Sequence, residues 1–239
     1  MVHAARTLTL ATALLAPLSW VHAGTSVDPS GHWEGAIHAP SGEVSVAVDL
    51  ARDEGGTLGG TFSNPSEHIK GFPFWNATVD GGAVRLEIKM GEGAQAFVGN
   101  LSTDGQSLSG DFLVSVYAVP FTLKRTGEAR IEPPPRSPAI DDALAGEWSA
   151  SLDVGGKSLP VTLRLSNEAD GTSTGSWGAG GGTPTPVAIE YWERRVTLES
   201  TVTPSAYSGS LSADGTEIAG TFKEGALEQP MTFRRAVAR

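Results

Sequence analysis

The chain has no cysteine among its 239 residues. Disulfides are therefore excluded, and any fold exported to an oxidising compartment must be held by its apolar core alone. The absence also rules out a lipid-modified cysteine at a mature N-terminus, so export should give a soluble protein rather than a lipoprotein. Past the first 20 or so residues there is no long apolar run, whereas a membrane-spanning helix needs about 20 such residues. Helical periodicity is missing as well. Basic residues are outnumbered, 17 Lys and Arg against 27 Asp and Glu, for a formal net charge of -10. That balance disfavours nucleic acid and anionic membrane surfaces as partners, since both would be repelled.

What is present begins with Arg6, an apolar run from Leu8 to Leu18, and Val21-His22-Ala23. This pattern reads as a secretory signal over residues 1–23, cut after Ala23, and points to a periplasmic or extracellular protein. The rest is organised by a repeat. Phe97 to Phe112, FVGNLSTDGQSLSGDF, returns as Tyr207 to Phe222, YSGSLSADGTEIAGTF. Two β-runs joined through Asp-Gly predict a hairpin, because Gly takes positive φ without steric cost. Aligned outward, Gly31-His32-Trp33 matches Gly146-Glu147-Trp148, and Pro120 to Arg125 matches Pro230 to Arg235. The domains are expected at residues 24–125 and 144–239, about 100 residues each.

Within each copy the pattern has period two. Val44, Val46, Val48 and Leu50 alternate with polar or small residues, as do Val84, Leu86, Ile88 and Met90; Leu159, Val161, Leu163, Leu165, Val196 and Leu198 follow in the second copy. Alternation of this kind, broken by Asp-Gly turns, predicts half-buried antiparallel strands, about eight per copy and five to seven residues long. The fold class is all-β: two tandem small antiparallel up-and-down β-barrels. Residues 126–143 contain Pro133-Pro134-Pro135 and Pro138 and read as a semi-rigid polyproline linker that does not join a ladder. Gly178 to Thr185, rich in Gly, Pro and Thr, reads as a mobile loop.

Alternation along the last strand of each copy turns Arg125 and Arg235 toward the core face. A buried guanidinium needs partners, and stacking on an indole while donating to backbone carbonyls supplies them. Trp33 and Trp148 are placed for that contact, closing each barrel. A Gly-x-Trp on the first strand and an Arg on the last resembles the calycin pattern of lipocalins and avidins. Both copies are more closely similar to the β-rich module that precedes the serine-hydrolase domain in exported bacterial α/β-hydrolases. The likeness runs through Gly31, Trp33, Gly35, Phe97, Gly99, Leu101, Asp104, Gly105, Gly110, Phe112 and Pro120, and through their counterparts from Gly146 to Pro230. The resemblance implies a calycin-like barrel. It brings no catalytic residues, because the hydrolase domain that carries them is not in this sequence.

Candidate chemistry is sparse. Gly171-Thr172-Ser173-Thr174-Gly175 fits the Gly-x-Ser-x-Gly nucleophile pattern, but the repeat places it on a strand and the second copy has no His. His32, Glu34 and His38 share parity and could hold a metal. That parity is opposite to Trp33, which puts them on a solvent-facing exterior. The carboxylate pairs Asp53-Glu54 and Asp141-Asp142 fall in a turn and in the linker. No catalytic residue, metal site or cofactor is expected. Phe72, Phe74 and Trp75, with Tyr191 and Trp192 near the equivalent place, put aromatics at adjacent strand positions, so at least one must point outward. The expected function is that of a monomeric, non-catalytic binding or accessory module for a small apolar ligand or a protein partner through this strand. An esterase-like hydrolase is the alternative.

Overall fold

The computed structural model describes residues 27–236; the expected signal segment lies outside the described residues. In the first copy the alternating runs form β1 (Gly31–Ala39), β2 (Gly42–Arg52), β3 (Leu58–Asn64), β4 (Ile69–Pro73), β5 (Asn76–Asp80), β6 (Ala83–Met90), β7 (Gly93–Leu101), β8 (Ser107–Val114) and β9 (Tyr117–Gly127). After β10 (Ser137–Pro138), the second copy forms β11 (Gly146–Val154), β12 (Lys157–Asn167), β13 (Thr172–Ala179), β14 (Thr185–Trp192), β15 (Arg195–Ser200), β16 (Ser205–Leu211), β17 (Glu217–Glu224) and β18 (Leu227–Arg235). Several are longer than the expected five to seven residues: β2, β9 and β12 each have 11.

All registered pairings are antiparallel, and in both sheets the first strand of the copy lies beside the last. The second copy is a closed eight-stranded barrel. Its closing strand is β14, which pairs with β13 over Thr185 to Val187 and with β15 over Val187 to Trp192. In the first copy the corresponding stretch is broken at Pro73. There β4 pairs with β3 and β5 with β6, which leaves a curled half-barrel with an opening along β4. The chain steps across at Phe74, whose N–H donates to the Gly60 carbonyl (3.0 Å), and Trp75, whose N–H donates to that of Glu87 (2.7 Å).

The repeated hairpin is bound into the end of each barrel. Asp214 accepts from the hydroxyls of Ser212 (2.6 Å) and Thr216 (2.8 Å) and from the Thr216 N–H (3.1 Å). The Gly215 carbonyl then accepts from Arg235 Nε (3.1 Å), and the guanidinium lies 4.3 Å from the centre of the Trp148 ring. The other two Arg235 nitrogens donate to the carbonyls of Ala145 (2.9 Å) and Ala143. The first copy repeats the arrangement with Arg125 over Trp33 at 4.7 Å, donating to Gly105 (3.0 Å), Asp28 (2.6 Å) and Ser30. Gly146 of the Gly-x-Trp has a φ of 132°, which side-chain-bearing residues rarely adopt, and a Cβ there would also come within 2.8 Å of Arg235 Nη1.

Three donors on one carboxylate favour its charged form, the Ser212 hydroxyl contributing most, and Asp214 is pulled from 3.8 down to about 2. A depressed folded-state pKa adds stability above the unfolded value, and that contribution is lost as pH falls from about 4 through about 2. The expected observation is an Asp214 carboxyl carbon titrating with a midpoint near 2 by NMR. A midpoint at the ordinary aspartate value would remove the assigned hydrogen bonds.

The segment between the copies is not a free linker. Thr126 and Gly127 finish β9, and Ser137 and Pro138 pair with Ser173 and Thr172 of β13. Pro138 is tolerated because a two-residue edge strand does not need its missing N–H. The Ser137 hydroxyl accepts from the Ile189 N–H (2.8 Å), and Ile140 and Leu144 are buried in the second core. Residues 178–185 also differ from the mobile loop expected. They dock on the β6–β7 hairpin of the first copy, with Thr183 N–H donating to the Lys89 carbonyl (2.8 Å). Gly182 permits this approach: a Cβ would lie 2.6 Å from Gly91 N and 2.8 Å from Lys89 O.

A second contact crosses the copies. Lys70 N–H on β4 donates to the Val202 carbonyl (2.8 Å), and the Val202 side chain is buried in the core of the first copy. The second copy thus plugs the opening that the broken strand leaves.

Candidate functional site

The joint between the copies forms a cavity of about 250 Å3 at the mouth of the second barrel. Inward-facing residues of the barrel strands, Leu152, Val161, Trp177, Phe222 and Met231, make it apolar, and Phe72 and Met90 reach in from the first copy. It is slightly smaller than the roughly 300–1,000 Å3 usual for a small-molecule site. Neither copy builds it alone.

Polar groups at the cavity are few. Thr203 and Ser205 share a hydrogen bond (2.8 Å), and Thr185 donates to the Trp177 carbonyl (3.5 Å). Thr183 Oγ1 is buried with no partner, the one such side-chain atom among the described residues. Lys89 lines the rim with its ammonium 4.6 Å from the centre of the Trp75 ring. Glu224 is also in the lining. Although Glu224 is exposed as a residue, desolvation raises its pKa above the ordinary carboxylate value.

The aromatic strand is divided by this geometry. Phe72 is buried and lines the cavity, Phe74 is half-buried against the first core, and Trp75 is 52% exposed. The step from β4 to β5 explains the adjacent aromatics, since the chain changes partner strands between Phe74 and Trp75. Tyr191 and Trp192 are not equivalent to these residues. Tyr191 faces Val196 as Val79 faces Val84, so they correspond to Val79 and Asp80, at the opposite end of the strand. Tyr191 packs against the second core, while Trp192 is 74% exposed beside a turn where Glu193 and Arg194 have positive φ. Trp33, Arg125, Trp148 and Arg235 lie at the barrel ends described above, away from the cavity.

His32 is not on a solvent-facing surface. It is on the exterior of the barrel, as its parity requires, but 6% exposed, because the segment after β9 covers it. Its Nδ1 lies 2.7 Å from Asp49 Oδ1, which also accepts from the Arg130 N–H (2.7 Å), and its Nε2 lies 3.1 Å from Glu34 Oε1. His38 remains exposed, 3.2 Å from Glu43. No group of three or more His, Cys, Asp or Glu side chains among the described residues is arranged to hold a metal. A second cleft of about 470 Å3 adjoins His32 and Asp49, but Lys70 and Glu132 in its wall are already paired with one another (2.8 Å).

Ser173 lies inside β13 rather than on a strand-to-helix turn. It is fully buried and donates to the Pro138 carbonyl (2.8 Å). Sequence reasoning missed Thr183, Val202 and the clasp between Asp49 and Arg130. The first two depend on contact between the copies and the third on the segment that joins them, and only Gly182, permitting close backbone approach, hinted at one of them.

No protein-family model matches the chain, and no curated protein matches it. Two solved structures are similar over 87% of it. One is named as a candidate outer membrane protein of Bacteroides fragilis, 16% identical, with 97% of its chain covered and a TM-score of 0.28. The other is a protein of unknown function from the DUF3598 family in Nostoc punctiforme, 14% identical, with 96% covered and a TM-score of 0.25. Among the described residues no helix is long and apolar enough to cross a membrane.

Proposed function

We propose that the chain is an exported, non-catalytic binding module that takes a small apolar ligand at the joint between its two barrels. The observation that carries this reading is the apolar cavity assembled from both copies. An apolar pocket with a few convergent polar groups is the usual form of a small-molecule site. The bond from Ser173 to Pro138 supports the non-catalytic reading, because a nucleophile needs a base in reach and this hydroxyl donates to a backbone carbonyl. The resemblance of both copies to a hydrolase-associated module supports an accessory role.

Titration with the fluorescent apolar probe N-phenyl-1-naphthylamine tests the site, with quenching of tryptophan emission as the readout. One saturable equivalent per chain is expected. Leu152→Trp, which fills the mouth, should weaken binding about tenfold or more while leaving the far-ultraviolet dichroism unchanged. Equal binding by a folded Leu152→Trp variant, or no binding by the parent protein, would refute the assignment. Native mass spectrometry of the protein as isolated should show a co-purified ligand or a partner.

A further inference from the structure

The cavity contains a feature that an oily site for pure hydrocarbon does not need. Buried polar side-chain atoms almost always find a hydrogen-bond partner, and each exception calls for an explanation. The exception here, Thr183 Oγ1, belongs to a cavity-lining residue rather than to a random place in the core. Its backbone is held by the bond from its N–H to the Lys89 carbonyl, so the residue is fixed against the first copy while its hydroxyl has no task. A rotation of χ1 to another staggered well is the movement that would bring that hydroxyl to the lumen.

The charged groups of the lining constrain what could meet it. Lys89 and Glu224 carry opposite signs, so the site offers no net charge to select an anion or a cation. Lys89 is drawn onto the Trp75 ring, and the desolvation that raises the Glu224 pKa would likewise penalise a charged head entering the same mouth. The neighbouring hydroxyls of Thr203 and Thr185 are already engaged.

We infer that the ligand is a neutral amphiphile, an aliphatic body carrying a hydroxyl group, with the body against Val161, Trp177 and Met231 and the hydroxyl paired with Thr183. This rests on the binding reading above and narrows it to one chemical class. A hydroxyl both donates and accepts, as Thr183 does, and a site built around such a bond rejects the analogue that lacks it.

The test is competition against bound N-phenyl-1-naphthylamine by 1-octanol, octanoate and n-octane, on the full chain and on Thr183→Val, which keeps the shape and removes the hydroxyl. The alcohol should compete about tenfold or more better than either of the others on the parent protein. Thr183→Val should erase that preference. Equal competition by octane, tighter competition by octanoate, or a preference that survives Thr183→Val would overturn the inference while leaving the apolar site intact. Failure of the probe to bind the parent protein would remove both readings.

Discussion

Trp148→Ala is expected to cost the second barrel about 3–5 kcal/mol, the range for truncating a large buried aromatic. Trp148 is 1% exposed, its Nε1 donates to the Leu144 carbonyl (2.9 Å), and its ring carries the Arg235 guanidinium. Removing the indole opens a cavity, leaves the Leu144 carbonyl without its donor and takes the stacking face from a cation that closes β18 on β11. In a cooperative unit of about 200 residues each kcal/mol moves the midpoint by about 2–4 °C, so calorimetry should show a fall of about 6–20 °C. Arg235→Lys separates the contributions. It keeps the charge but cannot present a planar fork to the carbonyls of Gly215, Ala145 and Ala143, and should lose about 1–3 kcal/mol. A Trp148→Ala protein that melts with the parent would show that the indole only fills space that the barrel end can collapse into.

Much of each barrel was legible because its determinants are local or periodic. The Asp-Gly hairpins set the strand phase, and from that phase the inward direction of Trp33, Trp148, Arg125 and Arg235 follows without knowledge of any distant contact. Most of the failures share a physical cause: they involve a surface of one copy covered by the other copy or by the segment between them. Parity correctly put His32 on the barrel exterior, yet cannot tell that Arg130 and its neighbours lie over it. Proline content suggested a semi-rigid linker over residues 126–143, but such a segment can lie along a barrel edge as readily as span solvent, and Ser137, Ile140 and Leu144 hold it there. Tyr191 and Trp192 were misplaced because the first copy breaks its closing strand at Pro73 while the second runs unbroken through Val187. The cavity itself could not be read from either repeat, since both copies contribute to its wall.

That coupling leads to the second large effect, Val202→Asp. Val202 belongs to the loop between β15 and β16, yet it is 4% exposed and packs in the core of the first copy. A carboxylate there is stripped of most of its water, and Lys70 and Arg130 of the adjoining cleft offset only part of a cost that reaches about 3–5 kcal/mol for a buried charge left unpaired. The backbone bond from Lys70 to residue 202 can persist, so the loss reports the side chain. Burial raises the pKa of the introduced carboxyl above its unfolded value, so the neutral form relieves the penalty at low pH and the full penalty returns as pH rises through the raised pKa. The parent protein should unfold in urea as one transition, because Val202 and the contact between Thr183 and Lys89 tie the copies together. In Val202→Asp the first copy, its opening no longer plugged, should unfold at lower urea and split the curve in two. Val202→Thr, nearly the same shape but uncharged, should keep one transition with a smaller loss of about 1–3 kcal/mol. If the parent already unfolds in two steps and Val202→Asp moves neither, the copies are independent barrels and the cavity between them has no fixed wall; a single transition that splits only in the charged variant means that the two barrels fold as one unit, and that any molecule bound at the joint would stabilise both at once.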